Sequence, residues 1–145
     1  MIRRILYPTD FSPASRPALK KAIELAKANH GRIIVTHVLA PVLPMADGYL
    51  SPQAYEQMET AGRRFATRQL KAVIAKVKKA GVQARGLLLE GTPAERIVRA
   101  ARAQRADVVV MGTHGRTGFA RFVLGSVAGR VVGHASCPVL TVRGA

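Results

Sequence analysis

Glycines recur at a fixed spacing late in the chain, directly after a short apolar run. The run from Asp107 to Met111 leads into glycines at 112, 115, 118 and 125, and Gly125 precedes Ser126. Glycine has no Cβ, so backbone N–H groups around it can approach an anion closely. The first turn of a helix adds unpaired N–H donors and the positive end of the helix dipole. A strand, a glycine-rich loop and a helix start in this order predict a phosphate or nucleotide site held mainly by main chain.

The two most familiar phosphate signatures are missing from the chain. The P-loop pattern G-x4-G-K-[ST] does not occur in the sequence. The dinucleotide-binding fingerprint does not fit either, because this loop follows the fourth predicted strand and has a different glycine spacing. The alternative is that the glycines only permit a tight turn from strand to helix. The exact spacing, with a serine after the last glycine, favours phosphate binding.

Several polar residues near these glycines have both a functional and a structural interpretation. Asp10 follows the first predicted strand, and its carboxylate could bind a ligand, cap the next helix, or do both. His114 could belong to the site or be an exposed loop residue, and the sequence shows no partner for acid–base chemistry. Ser126 could cap its helix, although its position after a glycine favours a phosphate contact. Arg116 and Arg121 could cover phosphates or point into solvent.

Strand and helix signals alternate along the whole chain. The predicted strands cover about residues 4–7, 33–39, 83–89, 107–111 and 138–142. Helices are predicted after Ser12-Pro13, Ser51-Pro52 and Thr92-Pro93, where a polar cap precedes a proline at the first helical position. The last helix is predicted from Gly125 to about His134. This order predicts one α/β domain over residues 1–145, an open parallel five-stranded sheet with helices on both faces.

Finer local expectations accompany this assignment. Gly31 is predicted to end the first helix. Thr92 and Glu95 are predicted to form a capping box. The apolar stripe of the second helix predicts six buried residues, namely Met58, Ala61, Phe65, Val73, Ile74 and Val77.

The predicted topology places two of these signals together. If the chain winds one way through the first three strands and then reverses, strands one and four become neighbours. Ligands of open α/β sheets bind outside the carboxyl ends of strands at such a reversal. Asp10 and the glycine loop would then line one crevice.

Composition limits the class of protein. The chain has 145 residues, a net charge of +15 and a single cysteine, Cys137. No apolar run approaches the roughly 20 residues of a membrane helix, and no secretory signal is evident, so we expect a cytoplasmic protein without a membrane partner. The basic residues at 96, 99, 102 and 105, and those of the second helix, are expected on solvated helix faces. We therefore expect no nucleic-acid partner, and basic nucleic-acid binding stays the second alternative function.

The pattern Gly112-x2-Gly115-x9-Gly125-Ser126, together with the element order, resembles the nucleotide-binding branch of the universal stress protein family. The resemblance implies a Rossmann-like, adenine nucleotide alpha-hydrolase-like fold. It also implies bound ATP, or ADP or AMP, with Mg²⁺ or Mn²⁺ as a candidate companion ion near Asp10. The implied contacts are Pro8, Thr9 and Asp10 on the adenosine side, Val38 at the adenine, Met111, Gly112, His114 and Gly115 around ribose and phosphates, and Gly125, Ser126, Val127 and Ala128 at the phosphates.

The same resemblance implies a nucleotide-dependent stress-response or signalling module with little or no hydrolysis. A slow ATPase is the first alternative, because Asp10 is the one acidic residue clearly at the predicted site. The apolar last strand, Pro138 to Val142, is predicted to be an edge, and edges of this kind need covering. The family resemblance implies that it pairs with the same strand of a second subunit in a homodimer.

Overall fold

The computed structural model describes residues 1–42, 50–114 and 124–144. Its strands are β1 (Arg4–Pro8), β2 (Arg32–Leu39), β3 (Gln83–Glu90), β4 (Val108–Gly112) and β5 (Val139–Val142). Its α-helices are α1 (Arg16–Asn29), α2 (Pro52–Lys79), α3 (Pro93–Ala103) and α4 (Ser126–His134). None of the helices in the described ranges is long and apolar enough to cross a membrane.

All five strands are parallel and lie in the order β3-β2-β1-β4-β5. The chain therefore reverses direction between β3 and β4, and β1 lies beside β4, with Leu6 opposite Val109. This confirms the predicted neighbours. The carboxyl ends of β1 and β4 consequently lie side by side, at the position where open sheets of this type form a crevice.

Helices cover both faces of the sheet. Ile5 and Tyr7 of β1 pack in a core with α1 and α2, whereas Leu6 between them packs with α3 and α4. Side chains of a strand alternate between the two faces, so one strand contributes to both cores. The predicted three-layer arrangement is confirmed.

The starts of α2 and α3 follow the predicted Ser-Pro and Thr-Pro signals, but only one has the predicted side-chain cap. The Ser51 hydroxyl accepts a hydrogen bond from the Ala54 N–H at 3.1 Å, and a proline stands at the start of α2. Thr92 makes no such side-chain bond at the start of α3, so the predicted capping box is wrong. Glu95 still lies in the first turn, where a negative charge complements the helix dipole.

The first helix begins and ends differently from the prediction. Ser12 and Pro13 introduce a short 3-10 turn, and α1 proper begins at Arg16. The left-handed residue that ends α1 is His30, with φ of 52°, rather than Gly31. Glycine is needed at 31 for a different reason, since a Cβ there would lie 3.0 Å from the Arg3 carbonyl oxygen.

The N-terminal half of α2 extends beyond the sheet. Met58, Ala61 and Phe65 are exposed, contrary to the prediction, and the first buried residue of the helix is Ala66. A helix of 28 residues is about 42 Å long, whereas a strand of eight residues spans about 26 Å. The sheet is therefore too short to cover the first turns of the helix, whatever their apolar pattern.

Asp107 ties the chain start to the beginning of β4. Its Oδ2 accepts hydrogen bonds from the backbone N–H groups of Arg3 at 2.9 Å and Arg4 at 2.7 Å. The Arg4 guanidinium lies 3.5 Å from Oδ1. Partial burial raises the pKa of this carboxyl, but the two backbone bonds and the Arg4 charge outweigh it and hold the pKa below its usual range.

We expect Asp107→Ala to lower the free energy of unfolding by about 1–2 kcal/mol at pH 7, because two backbone donors lose their acceptor. Since the folded-state pKa is depressed, this stabilisation is present above the ordinary carboxyl pKa and is lost as pH falls through the folded value. The difference between wild type and variant should thus shrink between pH 7 and pH 3 in urea unfolding. Glu24→Ala is the control, because Glu24 is exposed and its ion pair with Lys21 lies on the helix surface, where such pairs contribute little. A pH-independent difference for Asp107→Ala would contradict the assignment.

Candidate functional site

A cavity of about 290 Å³ opens at the carboxyl ends of β1 and β4. It is lined by every predicted site residue that the structure describes, whereas Gly115 lies outside the described residues. The predicted residues at its wall are Pro8, Thr9, Asp10, Val38, Met111, Gly112, His114, Gly125, Ser126, Val127 and Ala128. The fold thus brings together segments that are more than 100 positions apart in the sequence.

The loop after β1 is held by short-range hydrogen bonds. The Phe11 N–H donates to the Thr9 hydroxyl at 3.0 Å, and the Ser12 N–H donates to Asp10 Oδ1 at 2.9 Å. Phe11 adopts a left-handed conformation with φ of 65°, which is uncommon for an aromatic residue. The Asp10 carboxylate therefore closes a turn ahead of the short 3-10 helix rather than capping a helical N–H, and it also lines the cavity.

A buried hydroxyl cluster fixes this loop against the start of α1. The Ser15 hydroxyl donates to the Ser12 carbonyl at 2.7 Å and lies 3.0 Å from the Thr9 hydroxyl. The Tyr7 hydroxyl donates to the Ser15 carbonyl at 2.9 Å, and burial raises the pKa of Tyr7. The Tyr7, Thr9 and Ser15 hydroxyls are thus paired within the protein, whereas the buried Ser12 hydroxyl has no partner among the described residues. The paired hydroxyls hold this wall in place when a ligand enters.

The opposite wall is formed where β4 meets α4. The Thr113 N–H donates to the Val142 carbonyl of β5 at 3.0 Å, and the Gly125 N–H donates to the Thr113 carbonyl at 2.7 Å. A Cβ at position 125 would lie 2.7 Å from that same carbonyl oxygen, closer than real side chains come. Glycine at 125 is therefore required by the close approach of two backbone segments.

The first turn of helix α4 lies at the cavity wall. Its first main-chain bond runs from the Gly129 N–H to the Gly125 carbonyl at 2.8 Å. The N–H groups of Ser126, Val127 and Ala128 precede this bond and have no acceptor within the helix. Gly125 has no side chain to cap them, and they lie at the positive end of the helix dipole. This arrangement suits an anion.

His114 lies between the two walls. Its Nδ1 is 3.1 Å from the Thr113 hydroxyl, and its Nε2 is shielded from solvent without a hydrogen-bond partner among the described residues. The residue is half-buried, so it is not the solvent-exposed loop histidine that was the alternative. A shielded imidazole nitrogen at a cavity wall can accept or donate one hydrogen bond to a ligand.

One side of the cavity is apolar. Val38, Ile97, Met111 and Val127 line it, and Met111 is only 6% exposed. Asp10 supplies the carboxylate of the described lining residues, which include no lysine or arginine. The arrangement combines an apolar slot, a carboxylate and a group of backbone donors, which fits a ligand with a flat apolar part, hydroxyls and an anionic end.

Sequence reasoning missed several residues of the wall. Thr36 and His37 of β2, and Pro93 and Ile97 of α3, also line the cavity. His37 lies within the second predicted strand, and its Nδ1 lies 2.7 Å from the Thr9 carbonyl oxygen.

The missing signal for these residues was topological. The carboxyl ends of β1, β2 and β4 meet at one edge of the sheet, and so does the start of α3. His37 also stacks on Phe11, with ring centroids 4.4 Å apart, which joins the loop after β1 to strand β2. A prediction that considered every strand end and helix start at that edge would have included the wall residues of β2 and α3.

The oxygen donors of the wall fit a hard divalent cation bound together with phosphate. Asp10 offers a carboxylate and Ser126 a hydroxyl, and Mg²⁺ is commonly held by one or two carboxylates plus phosphate oxygens. The described residues contain no group of three or more histidine, cysteine, aspartate or glutamate side chains that could hold a metal by themselves. An ion at this wall would therefore depend on the phosphates.

Comparison with known proteins agrees with this geometry. The model of the universal stress protein family matches residues 1–143. The chain belongs to the universal stress protein family. A universal stress protein of Methanocaldococcus jannaschii is 37% identical to it over 143 residues, which are 99% of this chain and 83% of that protein.

Solved structures of family members share the fold. A second universal stress protein of Methanocaldococcus jannaschii superposes with a TM-score of 0.85 at 27% identity, over 98% of this chain and 96% of that one. The universal stress protein of Archaeoglobus fulgidus in complex with dAMP gives 0.67 at 24% identity, over 99% and 100% of the chains. A family protein of Arabidopsis thaliana with AMP bound gives 0.71 at 20% identity, over 99% and 92%.

Proposed function

We propose that this protein binds an adenine nucleotide in the cavity between β1, β4 and α4. The observation that carries the proposal is the convergence of Gly125, the free N–H groups of α4 and the Asp10 carboxylate on one cavity with an apolar slot. Two family members of the same fold bind adenine mononucleotides, dAMP and AMP. The apolar slot, the Asp10 carboxylate and the backbone donors of α4 suit the base, the ribose and the phosphate of such a ligand.

The walls suggest one orientation for the nucleotide. The base would lie in the slot lined by Val38, Ile97 and Met111, because transfer of a flat ring from water to an apolar slot is favourable. The ribose hydroxyls would donate to Asp10. The phosphates would accept hydrogen bonds from the first turn of α4, and with ATP a Mg²⁺ or Mn²⁺ ion would be shared between the phosphates and Asp10.

Mass analysis of small molecules released from the freshly purified, denatured protein tests the proposal most directly. We expect an adenine nucleotide, and calorimetric titration of the emptied protein with ATP, ADP and AMP should rank the three. Guanosine nucleotides are the matched control, since they share the ribose and phosphates and differ in the base. No released nucleotide, together with no heat on titration up to millimolar concentration, would refute the proposal.

We further propose that the bound nucleotide acts as a regulatory ligand of a cytoplasmic stress-response or signalling module and is hydrolysed slowly or not at all. Rapid hydrolysis requires a positioned water and stabilisation of the charge on the transferring phosphoryl group. Among the described lining residues Asp10 is the single carboxylate, and charge-stabilising lysine or arginine is not among them. Fast phosphate release by the wild type that is lost in Asp10→Ala would refute this role and favour a genuine ATPase. Slow release that is lost in Asp10→Ala would favour the alternative, a slow ATPase.

We also propose a homodimer through β5, which is an edge strand of the sheet. Pro138 and Val142 accept hydrogen bonds from β4 through their carbonyl groups. Main-chain groups of a strand alternate in direction, so those of Val139 and Thr141 point away from β4. Leu140 is 37% exposed on this edge. An edge with outward donors and an apolar side chain favours pairing with a second copy.

We expect Thr141→Pro to convert this dimer to a monomer, because proline removes an outward N–H and is tolerated on the open side of an edge strand. Thr141→Val keeps the N–H and is the matched control, so it should stay dimeric. Light scattering at micromolar concentration measures both. A wild-type monomer, or a Thr141→Pro dimer as stable as that of the control, would count against pairing through β5.

A further inference from the structure

Cationic side chains gather at the end of the sheet opposite the cavity. The strands are parallel and each helix returns the chain to their starting edge, so strand starts and helix ends lie together there. We call this end the basic pole and define it by six residues: Arg3, Arg4 and Arg32 at the strand starts, and Lys78, Lys79 and Arg105 at the ends of α2 and α3. Lys78, Lys79 and Arg105 were predicted on solvated helix faces, and the fold places them at the same end as the three strand-start arginines.

Little negative charge balances the basic pole. Asp107 lies there, but its oxygens are occupied by the N–H groups of Arg3 and Arg4 and by the Arg4 guanidinium. Glu90 at the end of β3, which pairs with Arg63, and Glu95 at the start of α3 lie toward the opposite end. Positive charge therefore predominates among the described residues of this pole.

Stability of the fold explains only part of this arrangement. Lys78 and Lys79 lie in the last turn of α2, and Arg105 lies just after α3, positions where positive charge complements the helix dipole. Arg4 and Arg32 are different, because they lie directly opposite each other on β1 and β2, and like charges in that position destabilise a sheet. The described residues provide no hydrogen-bond or ion-pair partner for the Arg32 side chain, and Arg4 Nε is shielded without one.

The shape and polarity of this surface indicate its partner. An open depression of about 450 Å³ is lined by Arg3, Arg4, His30 and Arg32, with Met1 as its one large apolar side chain. No phenylalanine or tyrosine lines it, so it offers neither a platform for unstacked bases nor an apolar anchor for a protein. Guanidinium groups match phosphate oxygens in geometry. We propose that the basic pole binds the phosphate backbone of a nucleic-acid duplex without reading its sequence.

Fluorescence anisotropy with a labelled random-sequence DNA duplex of about 20 base pairs tests this proposal over about 50–200 mM salt. The pole variant is Arg3→Gln/Arg32→Gln/Lys79→Gln. The matched control is Arg64→Gln/Arg68→Gln/Lys20→Gln, which removes the same residue types from exposed positions nearer the other end. Both lower the net charge from +15 to +12 by removing three positive charges.

We expect the pole variant to bind the duplex at least about 10-fold more weakly at low salt, and the slope of log K against log salt to fall by about 2–3, roughly 0.9 for each lost phosphate contact. The control should change affinity by less than about threefold. Arg32→Gln alone, which perturbs the fold least, should give about one third of the slope change. Nucleotide titration of the pole variant is expected to match wild type, because the cavity lies at the other end.

Three results would overturn the proposal. Equal losses in pole variant and control would show that binding follows total charge alone. Undetectable duplex binding by the wild type at the lowest salt would exclude a nucleic-acid duplex as the partner. Competition by polyglutamate at least as strong as by unlabelled duplex would identify an acidic protein as the ligand instead. None of these results depends on nucleotide binding at the cavity.

Discussion

Gly125→Val is expected to weaken binding of an adenine nucleotide at least about 100-fold, equivalent to about 2.8 kcal/mol. A Cβ at this position would lie 2.7 Å from the Thr113 carbonyl oxygen, which is backbone and cannot rotate away. The start of α4 must then move away from β4. The N–H groups that would hold the phosphates move with it, and hydrogen-bond geometry deteriorates within a fraction of an ångström.

Gly133→Ala is the matched control for this substitution. Gly133 lies in the same helix, and a Cβ there meets no atom within 4 Å. This variant should keep wild-type affinity and gain up to about 1 kcal/mol of stability, because alanine favours helix more than glycine does. Calorimetric titration measures affinity and circular dichroism verifies the fold. Unchanged affinity in Gly125→Val would eliminate the proposed phosphate cradle.

If valine at 125 prevents folding, Gly125→Ala provides the same test with a smaller side chain. Alanine introduces the same short contact with Thr113 without the two further methyl groups of valine. We expect it to reduce nucleotide affinity by at least about 10-fold, since a shift of a few tenths of an ångström is sufficient to misalign the donors.

Asp10→Ala is expected to reduce nucleotide affinity about 10- to 100-fold, in the range for lost hydrogen bonds to a charged group. The carboxylate has two roles to separate, because Oδ1 also accepts the Ser12 N–H at 2.9 Å. Asp10→Asn keeps an oxygen for that bond and removes the charge. If the affinity of Asp10→Asn lies between those of wild type and Asp10→Ala, the loss from wild type to Asp10→Asn measures the effect of the charge. The further loss from Asp10→Asn to Asp10→Ala then measures the effect of the turn.

The nature of the Asp10 contact can be read from the ligand. If Asp10 binds the ribose hydroxyls, the penalty of Asp10→Ala should nearly vanish with a dideoxy nucleotide, which has no hydroxyl to lose. If it acts through a metal ion, the penalty should appear with Mg²⁺ and disappear with a chelator. Glu95→Ala is the matched control, because Glu95 is exposed at the same end of the sheet and does not line the cavity. An Asp10 variant that binds like this control would remove Asp10 from the site.

Local sequence signals were sufficient for the elements and for most of the candidate wall. Prolines after Ser51 and Thr92 mark the starts of α2 and α3, because proline costs nothing at a position whose N–H has no partner. The spacing of Gly112, Gly115 and Gly125-Ser126 predicts a glycine-rich loop between β4 and a helix start, a pattern that neighbouring residues alone define. The order of elements, together with the rule for strand reversal, also predicted that β1 and β4 are adjacent.

Contacts between distant segments decided the rest. Phe65 fits the apolar pattern of α2, yet it is exposed because the sheet ends before the helix does. His37 and Ile97 join the cavity wall because β2 and α3 end and begin at the same edge as β1 and β4. Arg4 and Arg32 become neighbours only through strand register. Periodicity reports which side of an element is apolar, whereas the lengths and positions of the other elements determine what each side meets.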